Sequence, residues 1–439
     1  MSWTPAFWSS RMRMSKSHSN SNPEDAVSAL SIAPYFPFPR VIPVAQHLTT
    51  GPDGVVHSQI TFEPDPRRRP VCSGCGRKTR AVHSTSVRRV LDLSLAGART
   101  ELLVPRRKLR CRRCGVRSEQ HEFLAPYRRI TTRLERAVAD LCRVLPVKHV
   151  AAHFGLAWHT VKEIDKRRLV REVGTPSYEG LRFLAVDEVA VHKGHTYMTT
   201  VLDLETGRMV WIGRDRTKAT LLSFFEELSA EERSTIEAVA TDMASGYREA
   251  IKEACPQAAL VYDMFHAVAK FSREVIDRVR VDESKKQDRA GNEAGRQLIK
   301  GSRYLLLKNE KNLSGKQRER LDLLLEANEN LNLVYVLKDQ LKRIWTYAGP
   351  GWARRALEDW CAMAEASGLS PLKTFARNLR RHAEGIINHC RYPIHTGRLE
   401  GVNNKIKVIK RMAYGFRDDD YFILKIKGAF PGEMHPIPR

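Results

Sequence analysis

The order of apolar strands and amphipathic helices in residues 181–265 constrains the fold of this 439-residue chain most strongly. Short apolar runs that end in turns predict strands, and stretches with helical periodicity predict helices between them. Three predicted strands come first, and they are followed by a helix, a strand, a second helix and a final strand: RFLAVDEV, YMTTVLDL, MVWIGRD, ATLLSFFEEL, AVATDM, YREAIKEA and ALVYDMF. The sequence therefore predicts an α/β domain.

This order of elements is that of an RNase H-like domain, in which the first and fourth strands lie side by side. The arrangement would set Asp187, at the end of the first strand, next to Asp242, at the end of the fourth. Neighbouring residues of a strand point to opposite faces, so Asp187 and Glu188 cannot both face one site. The sequence alone does not choose between them, and we favour Asp187 because Asp is the shorter and more rigid ligand.

A third acid, Glu400, lies in LEGVNNKIKVIKRMAYGF (residues 399–416), which predicts a helix. Together, Asp187, Asp242 and Glu400 predict a site for two Mg²⁺ (or Mn²⁺) ions. Such ions activate a water or a 3′-OH for in-line displacement at phosphorus. Helical spacing also predicts a DNA-binding face beside Glu400, formed by Asn403, Asn404, Lys407 and Arg411.

Other polar residues of this region have simpler interpretations. Asp203 precedes a glycine turn and is predicted to be a turn residue. Asp215 is predicted to be a helix cap or an ion-pair partner. Asp263 is predicted to cap a helix, with a supporting role near the site as the alternative, and His266 to be a packed histidine, with catalysis as the alternative.

Two CxxC pairs near the N-terminus predict a tetrahedral Zn²⁺ site with four thiolate ligands. The ligands would be Cys72, Cys75, Cys111 and Cys114. The alternating segment between the pairs, with a turn at Gly97, predicts a β-hairpin that brings the second pair back to the first. His83 and His121 lie nearby but are not needed for such a site.

Positive charge is concentrated in the same part of the chain. The formal net charge is +24, and residues 67–119 hold 16 Lys or Arg against 3 Asp or Glu. Clustering of this kind favours a polyanionic partner, either nucleic acid or an anionic membrane surface. We predict DNA contacts from four arginines around the second CxxC pair: Arg106, Arg107, Arg112 and Arg113.

Residues 147–168 fit a helix-turn-helix, with a plain helical connector as the alternative. Val150 and Ala151 would pack the first helix, Gly155 would form the turn, and Trp158–Arg168 would form the recognition helix. The recognition helix would offer several side chains to a groove or to phosphates: His159, Thr160, Lys162, Lys166, Arg167 and Arg168.

The predicted organisation divides the chain at changes of composition. A disordered Ser- and Pro-rich tail covers residues 1–40, followed by the zinc-binding module (41–125) and the helix-turn-helix domain (126–175). The RNase H-like domain covers 180–430, with a long all-helical insertion at 266–395. No run of 18 apolar residues and no signal-peptide pattern occur, so no membrane partner is expected.

Over residues 70–430 the chain resembles bacterial insertion-sequence transposases of the DDE class, and most closely the ISL three family. The matching stretches are CSGCG, LRCRRCG, FLAVDEV, DLETGRMV, AVATDMASGYREAI, VYDMFHAV and RLEGVNNKIKVIKRMAYGF. The resemblance implies that Asp187, Asp242 and Glu400 are the metal-binding catalytic triad. Met264 departs from the pattern, because a basic residue is expected at this position, and the second zinc knuckle is unusually rich in Arg.

The family resemblance implies a transposase that binds terminal inverted repeats and then cuts and joins DNA strands. Its partners would be double-stranded transposon ends and target DNA, and it would act as a homodimer or higher oligomer in the bacterial cytoplasm, associated with the nucleoid. Two alternatives remain open from the sequence. One is a non-catalytic DNA-binding regulator derived from a transposase, and the other is a nuclease of the same fold that does not join strands.

Overall fold

A computed structural model describes residues 31–192, 196–243, 245–394 and 397–432. The chain divides into two compact units, Met1–Ala137 and Val138–Arg439. The residues 1–30 of the predicted disordered tail lie outside the described ranges.

The first unit is built on a five-stranded sheet with the order β1-β2-β4-β3, and β5 pairs with β4. Its strands are β1 (Val41–Thr50), β2 (Val56–Pro64), β3 (Val82–Leu91), β4 (Arg99–Cys111) and β5 (Gly115–Ser118), and helix α1 (Thr132–Leu141) follows. The predicted hairpin is confirmed, because β3 and β4 pair antiparallel and Gly97 takes a φ of 83° between them. The strand predicted within residues 41–65 is β2.

Strand β1 was not predicted. It lies at the edge of the sheet, and most of its residues are exposed, so its sequence shows no alternation of apolar and polar side chains. Pro43 adjoins a shift in its register with β2, a position that tolerates proline because an edge strand can lose one donor. Exposure on both sides therefore removed the signal on which strand prediction depends.

The core of the first unit includes residues that were expected to be disordered. Ala33–Tyr35 form a short 3₁₀ helix, and Phe36 is buried. The ring of Phe38 stacks on Phe123 with 4.1 Å between centroids. The expectation of disorder is therefore wrong for these residues, because aromatic burial outweighs the polar composition around them.

The second unit begins with the predicted helix-turn-helix. Helix α2 (Val147–Phe154) buries Val150 and Ala151 and ends at Gly155, whose φ of 60° is left-handed. Helix α3 (Trp158–Val173) extends beyond the predicted end at Arg168.

A second five-stranded sheet follows, with β6 (Phe183–His192), β7 (Thr196–Asp203), β8 (Met209–Arg214), β9 (Ala238–Thr241) and β10 (Ala259–Tyr262). Its order is β10-β9-β6-β7-β8. The strands β6, β7 and β8 pair antiparallel, whereas β9 runs parallel to both β6 and β10. The first and fourth strands of this segment are thus neighbours, as the sequence predicted.

Helices cover this sheet and continue beyond it. Between the strands lie α4 (Lys218–Glu226), α5 (Ala230–Ser234) and α6 (Ser245–Ala254). The predicted helical region contains α7 (Met264–Phe271), α8 (Asp277–Arg289), α9 (Glu293–Ile299), α10 (Arg303–Leu307), α11 (Gly315–Glu326), α12 (Glu329–Arg343), α13 (Pro350–Ala366), α14 (Ser370–Arg381) and α15 (Ala383–Ile387). A π-helical turn joins α7 to α8, and Phe271, Trp360 and Phe375 pack edge to face in the helical core.

The chain ends with α16 (Gly397–Met412) and α17 (Asp419–Ala429). Helix α3 packs against α17 through a buried polar network around Asp165. Asp165 accepts a hydrogen bond from the Tyr421 hydroxyl at 2.6 Å and pairs with Lys425 at 2.9 Å. The helix-turn-helix is therefore packed within the second unit. No helix of the described ranges is long and apolar enough to cross a membrane.

Candidate active site

The two aspartates chosen from the sequence lie at one end of the parallel strand pair. Ala185 of β6 is level with Ala240 of β9. Continuing this register along both strands brings Asp187 level with Asp242, which directly follows β9. The charge of Asp242 acts on the carboxyl group of Asp187 and contributes to raising its pKa. The predicted proximity of these two acids is therefore present in the structure.

The two faces of β6 distinguish Asp187 from Glu188. Ala185, on the face of Asp187, packs in a core with Leu399 and Val402 of α16. The opposite face packs against α4 and α6, and there Glu188 pairs with Arg216 at 3.5 Å. Asp187 therefore faces the helix that carries Glu400, whereas Glu188 points to the opposite face of the sheet.

Helix α16 contacts Asp187 directly through Asn403. The amide Nδ2 of Asn403 donates to Oδ2 of Asp187 at 2.7 Å, and Asn403 is only 9% exposed. Glu400 lies three residues earlier and is exposed. Residues at this spacing share one side of a helix, so Glu400 lies on the same side of α16 as Asn403.

The Asp187 carboxyl group is mostly buried and electrostatically unfavourable as an anion. Burial raises its pKa, and the negative charge of Asp242 adds to this effect. The positive charge of His266 and the backbone N–H of Glu188, which donates to Oδ1 of Asp187 at 2.8 Å, lower it. Burial also raises the pKa of Glu188, with a further contribution from Asp242. A cation at this end of the sheet would relieve the repulsion.

The residues present fit a divalent cation with oxygen ligands. Carboxylate and amide oxygens are the ligands that Mg²⁺ and Mn²⁺ accept in proteins. Beside Asp187, the Oδ1 of Asn403 is buried and has no hydrogen-bond partner among the described residues. However, the acids do not converge as closely as the thiols do. Within the described ranges, the four cysteines are the only group of three or more His, Cys, Asp or Glu residues whose ligand atoms all lie within 4.8 Å of one another.

Those four thiols are Cys72, Cys75, Cys111 and Cys114, the set predicted from the sequence. Cys111 lies at the end of β4, and its Sγ is 3.5 Å from that of Cys75. The backbone N–H groups of Arg113 and Cys114 lower the pKa of Cys111 to about 6, which favours its thiolate, whereas the hydrogen bond with Cys75 and burial raise the pKa of Cys114 to about 12. A compact set of four thiols suits tetrahedral Zn²⁺.

The arginines predicted to contact DNA in the first unit have different environments. Arg107 forms two hydrogen bonds of 2.7 Å with the buried Glu119, so the structure contradicts a role in DNA contact for it. Arg112 and Arg113 are exposed, and Arg106 is half-buried.

Sequence reasoning missed Arg88. Its side chain lines a cavity of about 600 Å³ together with Arg106 and the exposed Tyr127. Burial lowers the pKa of Arg88, and the nearby charges of Arg106 and Arg129 lower it further. The two acids of this cavity, Glu119 and Glu122, pair with Arg107 and Arg40. The signal in the sequence was weak, because Arg88 and Arg106 become neighbours only when β3 pairs with β4.

The recognition helix also differs from the prediction. Arg168 is buried and pairs with Asp165 at 2.6 Å, so it is not a DNA contact. Lys162 and Lys166 both pair with Asp418, at 2.8 and 3.3 Å, on the side of α3 that packs against α17. His159 is exposed, whereas Thr160 and Arg167 are half-buried.

On α16, the predicted DNA-binding set divides into two groups. Asn404, Lys407 and Arg411 are exposed. Asn403 is buried against Asp187, so its assignment to the exposed basic face is wrong. The helical spacing was read correctly, but it could not say that Asn403 lies where the helix meets the sheet.

The remaining polar residues mostly have structural roles. Asp203 accepts hydrogen bonds in its turn from Glu205 and Thr206, and Asp263 caps α7, both as predicted. Thr217, rather than Asp215, caps α4. His266 is half-buried, and its charge acts on Asp187, so both interpretations of His266 stay open. His83 is exposed and His121 is half-buried.

Three family models match the chain in the order of these modules. A model described as zinc-finger of transposase IS204/IS1001/IS1096/IS1165 matches residues 68–114. A helix-turn-helix domain of transposase family ISL3 matches residues 119–169, and a model described as a transposase matches 184–426, which includes all three predicted acids. The zinc-finger, the helix-turn-helix and the DDE domain define a DNA transposase.

The chain belongs to the ISL3 family of transposases. It is 49% identical to the transposase for insertion sequence element IS1001 of Bordetella parapertussis, over 82% of this chain and 89% of that protein. It is 29% identical to the transposase for insertion sequence element IS1557 from two strains of Mycobacterium tuberculosis, over 64% of this chain and 68% of theirs. The resemblance inferred from the sequence is thereby confirmed.

Proposed function

We propose that this transposase binds the terminal inverted repeats of its element and then cuts and joins DNA strands with Mg²⁺ or Mn²⁺. Asp187, Asp242 and Glu400 would hold the ions in an RNase H-like domain with a long helical insertion. Zn²⁺ bound by the four clustered thiols would stabilise the N-terminal module.

One observation carries the catalytic part of this proposal. The parallel pairing of β6 and β9, continued beyond Ala185 and Ala240, brings Asp187 level with Asp242, and Asn403 of α16 donates a hydrogen bond to Asp187. Three elements distant in sequence thus meet at one end of the sheet. The strand order β10-β9-β6-β7-β8, with β9 parallel to β6, supports the assignment to the RNase H-like class.

The protein residues have separate tasks in this chemistry. Divalent ions at the acids would polarise the phosphate and lower the pKa of the attacking water or 3′-OH. Hydrogen bonds from Nδ2 of Asn403 and from the backbone N–H of Glu188 hold the Asp187 carboxylate in one orientation. The carboxylate is therefore already oriented when an ion binds. Glu400 would complete the ligand set from α16, one helical turn before Asn403.

DNA would be held by basic and polar side chains, some exposed and some half-buried, on three parts of the chain. These are the arginines of the zinc module, the N-terminal part of α3, and the face of α16 that continues from Glu400: Arg88, Arg106, Arg112, Arg113, His159, Thr160, Arg167, Asn404, Lys407 and Arg411. Lys162 and Lys166 would contribute only when they leave Asp418. Because transposition joins two ends to one target, the active species would be at least a homodimer on DNA, associated with the bacterial nucleoid in the cytoplasm.

The decisive test is strand cleavage by full-length protein on DNA that carries an element end, with Mg²⁺ and a target plasmid. Asp242→Asn should abolish cleavage while end binding stays within about twofold, since losing several kcal/mol of metal stabilisation corresponds to at least about a thousandfold in rate. Asp420→Asn, an equal charge change at an exposed acid, is the control.

The same assay separates the alternatives. Undiminished cleavage by Asp242→Asn would refute the catalytic assignment. End binding without cleavage by the unmodified protein would indicate the non-catalytic regulator, and cleavage without transfer to the target would indicate a general nuclease.

A further inference from the structure

We propose that Asn403 is a ligand of the divalent ion, with its Oδ1 directed to the ion and its Nδ2 holding Asp187. This inference rests on the proposed metal site, and it replaces the DNA contact predicted for Asn403 from the sequence. It adds an amide oxygen to the ligand set of three carboxylates.

The first argument is the fixed orientation of the amide. Nδ2 of Asn403 lies 2.7 Å from Oδ2 of Asp187. Turning the amide over would bring Oδ1 against the same carboxylate oxygen, and two acceptors repel each other at that distance. When Asp187 is ionised, as a carboxylate that binds a cation is, Nδ2 therefore faces it and Oδ1 is free to point to the ion.

The second argument is that this Oδ1 is left without a partner. Asn403 is 9% exposed, and its Oδ1 is buried with no hydrogen-bond donor within reach in the described ranges. Buried polar atoms are nearly always paired, so an unpaired acceptor needs an explanation such as an ion that binds there. The ion expected beside Asp187 has the required positive charge and prefers oxygen ligands.

The third argument is the surroundings of the side chain. Leu399, Val402 and Ile406 of the same helix are buried in the core that covers this face of the sheet. A side chain here that only donated to Asp187 would leave no unpaired acceptor in this apolar core. An asparagine here costs stability unless both ends of its amide are used.

A purely structural role makes a different prediction. If Asn403 served only to orient Asp187 through Nδ2, Asn403→Asp would remove the donor and add a repelling charge, so metal binding would weaken. If Oδ1 binds the ion, Asn403→Asp keeps an oxygen at that position and adds a negative charge that attracts the cation. The aspartate variant therefore separates the two roles.

The experiment is a titration of full-length protein with Mn²⁺ in the absence of DNA, followed by electron paramagnetic resonance of the free ion. Asn403→Leu should weaken Mn²⁺ binding about 10- to 100-fold, the range seen when a supporting residue of a metal site is lost. Asn403→Asp should bind Mn²⁺ at least as tightly as the unmodified protein. Asn312→Leu, at an exposed asparagine of the helical region to which no binding role is assigned, should leave the Mn²⁺ affinity unchanged.

The outcomes distinguish this inference from the proposed function. Asp187→Asn, measured in parallel, should also weaken Mn²⁺ binding; if it does not, the metal site itself is wrong. If Asp187→Asn weakens binding but Asn403→Leu does not, or if Asn403→Asp binds more weakly than Asn403→Leu, only the role of Asn403 is overturned. Thermal melting of each variant identifies any loss of folding.

Discussion

The cysteine cluster and the acid site are both proposed to bind metal, but the fold prepares them differently. The four thiols come within 4.8 Å of one another, and backbone N–H groups already favour the thiolate of Cys111. At the acid site, burial and the charge of Asp242 disfavour the anion of Asp187, and Asn403 Oδ1 has no partner among the described residues. The first arrangement is typical of a structural metal site, which is closed. The second is typical of a functional site, where stability is lower than it could be.

The largest expected effect is on cleavage, at the acid site. Asp187→Asn should lower the rate of strand cleavage by at least about a thousandfold, because a neutral amide is a poorer ligand than a carboxylate for a hard cation. The measurement is single-turnover cleavage of end-containing DNA at saturating Mg²⁺. Equal rates for both proteins would place the catalytic acid elsewhere, with Glu188 as the first candidate.

The next effect concerns the folding of the zinc module. Cys111→Ser should reduce bound zinc from about one ion per chain to a small fraction, because binding a structural Zn²⁺ contributes directly to folding. Metal analysis and limited proteolysis of the first unit would show this loss. Cys390→Ser changes a thiol of the second unit and should leave zinc content unaltered. Full zinc content in the Cys111 variant would contradict the site.

A third prediction tests what holds this module besides metal. Arg107→Gln leaves the carboxylate of Glu119 buried without its partner, so unfolding should become easier by about 3–5 kcal/mol. Glu119 pairs in a β-bridge with Cys72, and zinc affinity should therefore fall as well. Denaturant unfolding measures the stability. Arg112→Gln, at an exposed arginine, should leave stability unchanged and weaken DNA binding. If Arg107→Gln instead weakened DNA binding without a loss of stability, Arg107 would be a DNA contact.

The smallest effect is a gain in stability at the acid site. The pKa of Asp187 is higher in the folded protein than in the unfolded chain, where it is 3.8. The free energy of unfolding therefore falls as the pH rises from the unfolded-state pKa through the folded-state pKa. Asp187→Asn removes this cost, so in Mg²⁺-free buffer its melting temperature should be a few degrees higher at pH 8. The gain should shrink toward pH 5. A less stable variant at pH 8 would mean that the carboxylate stabilises the fold.

The aspartates and the cysteines could be predicted from the sequence because each belongs to a short local pattern. Cys72 and Cys75 lie in one knuckle, and an aspartate at the end of an apolar strand is visible without the rest of the chain. Pairing partners were not predictable. Asn403 meets Asp187 across 216 residues, and Tyr421 meets Asp165 across 256. Helical periodicity says which residues share a side of a helix, but not which side packs against the sheet.

The sequence by itself determined the modules, their order, the cysteine ligands and the two strand-borne aspartates, since local spacing and apolar patterning encode these features. Only the tertiary structure shows that Asp187, and not Glu188, lies on the face of β6 that α16 covers. It also shows that Arg107, Arg168 and Asn403, which were predicted to contact DNA, have buried partners within the fold. A charged or polar side chain is free to bind DNA only if folding has not already given it a buried partner.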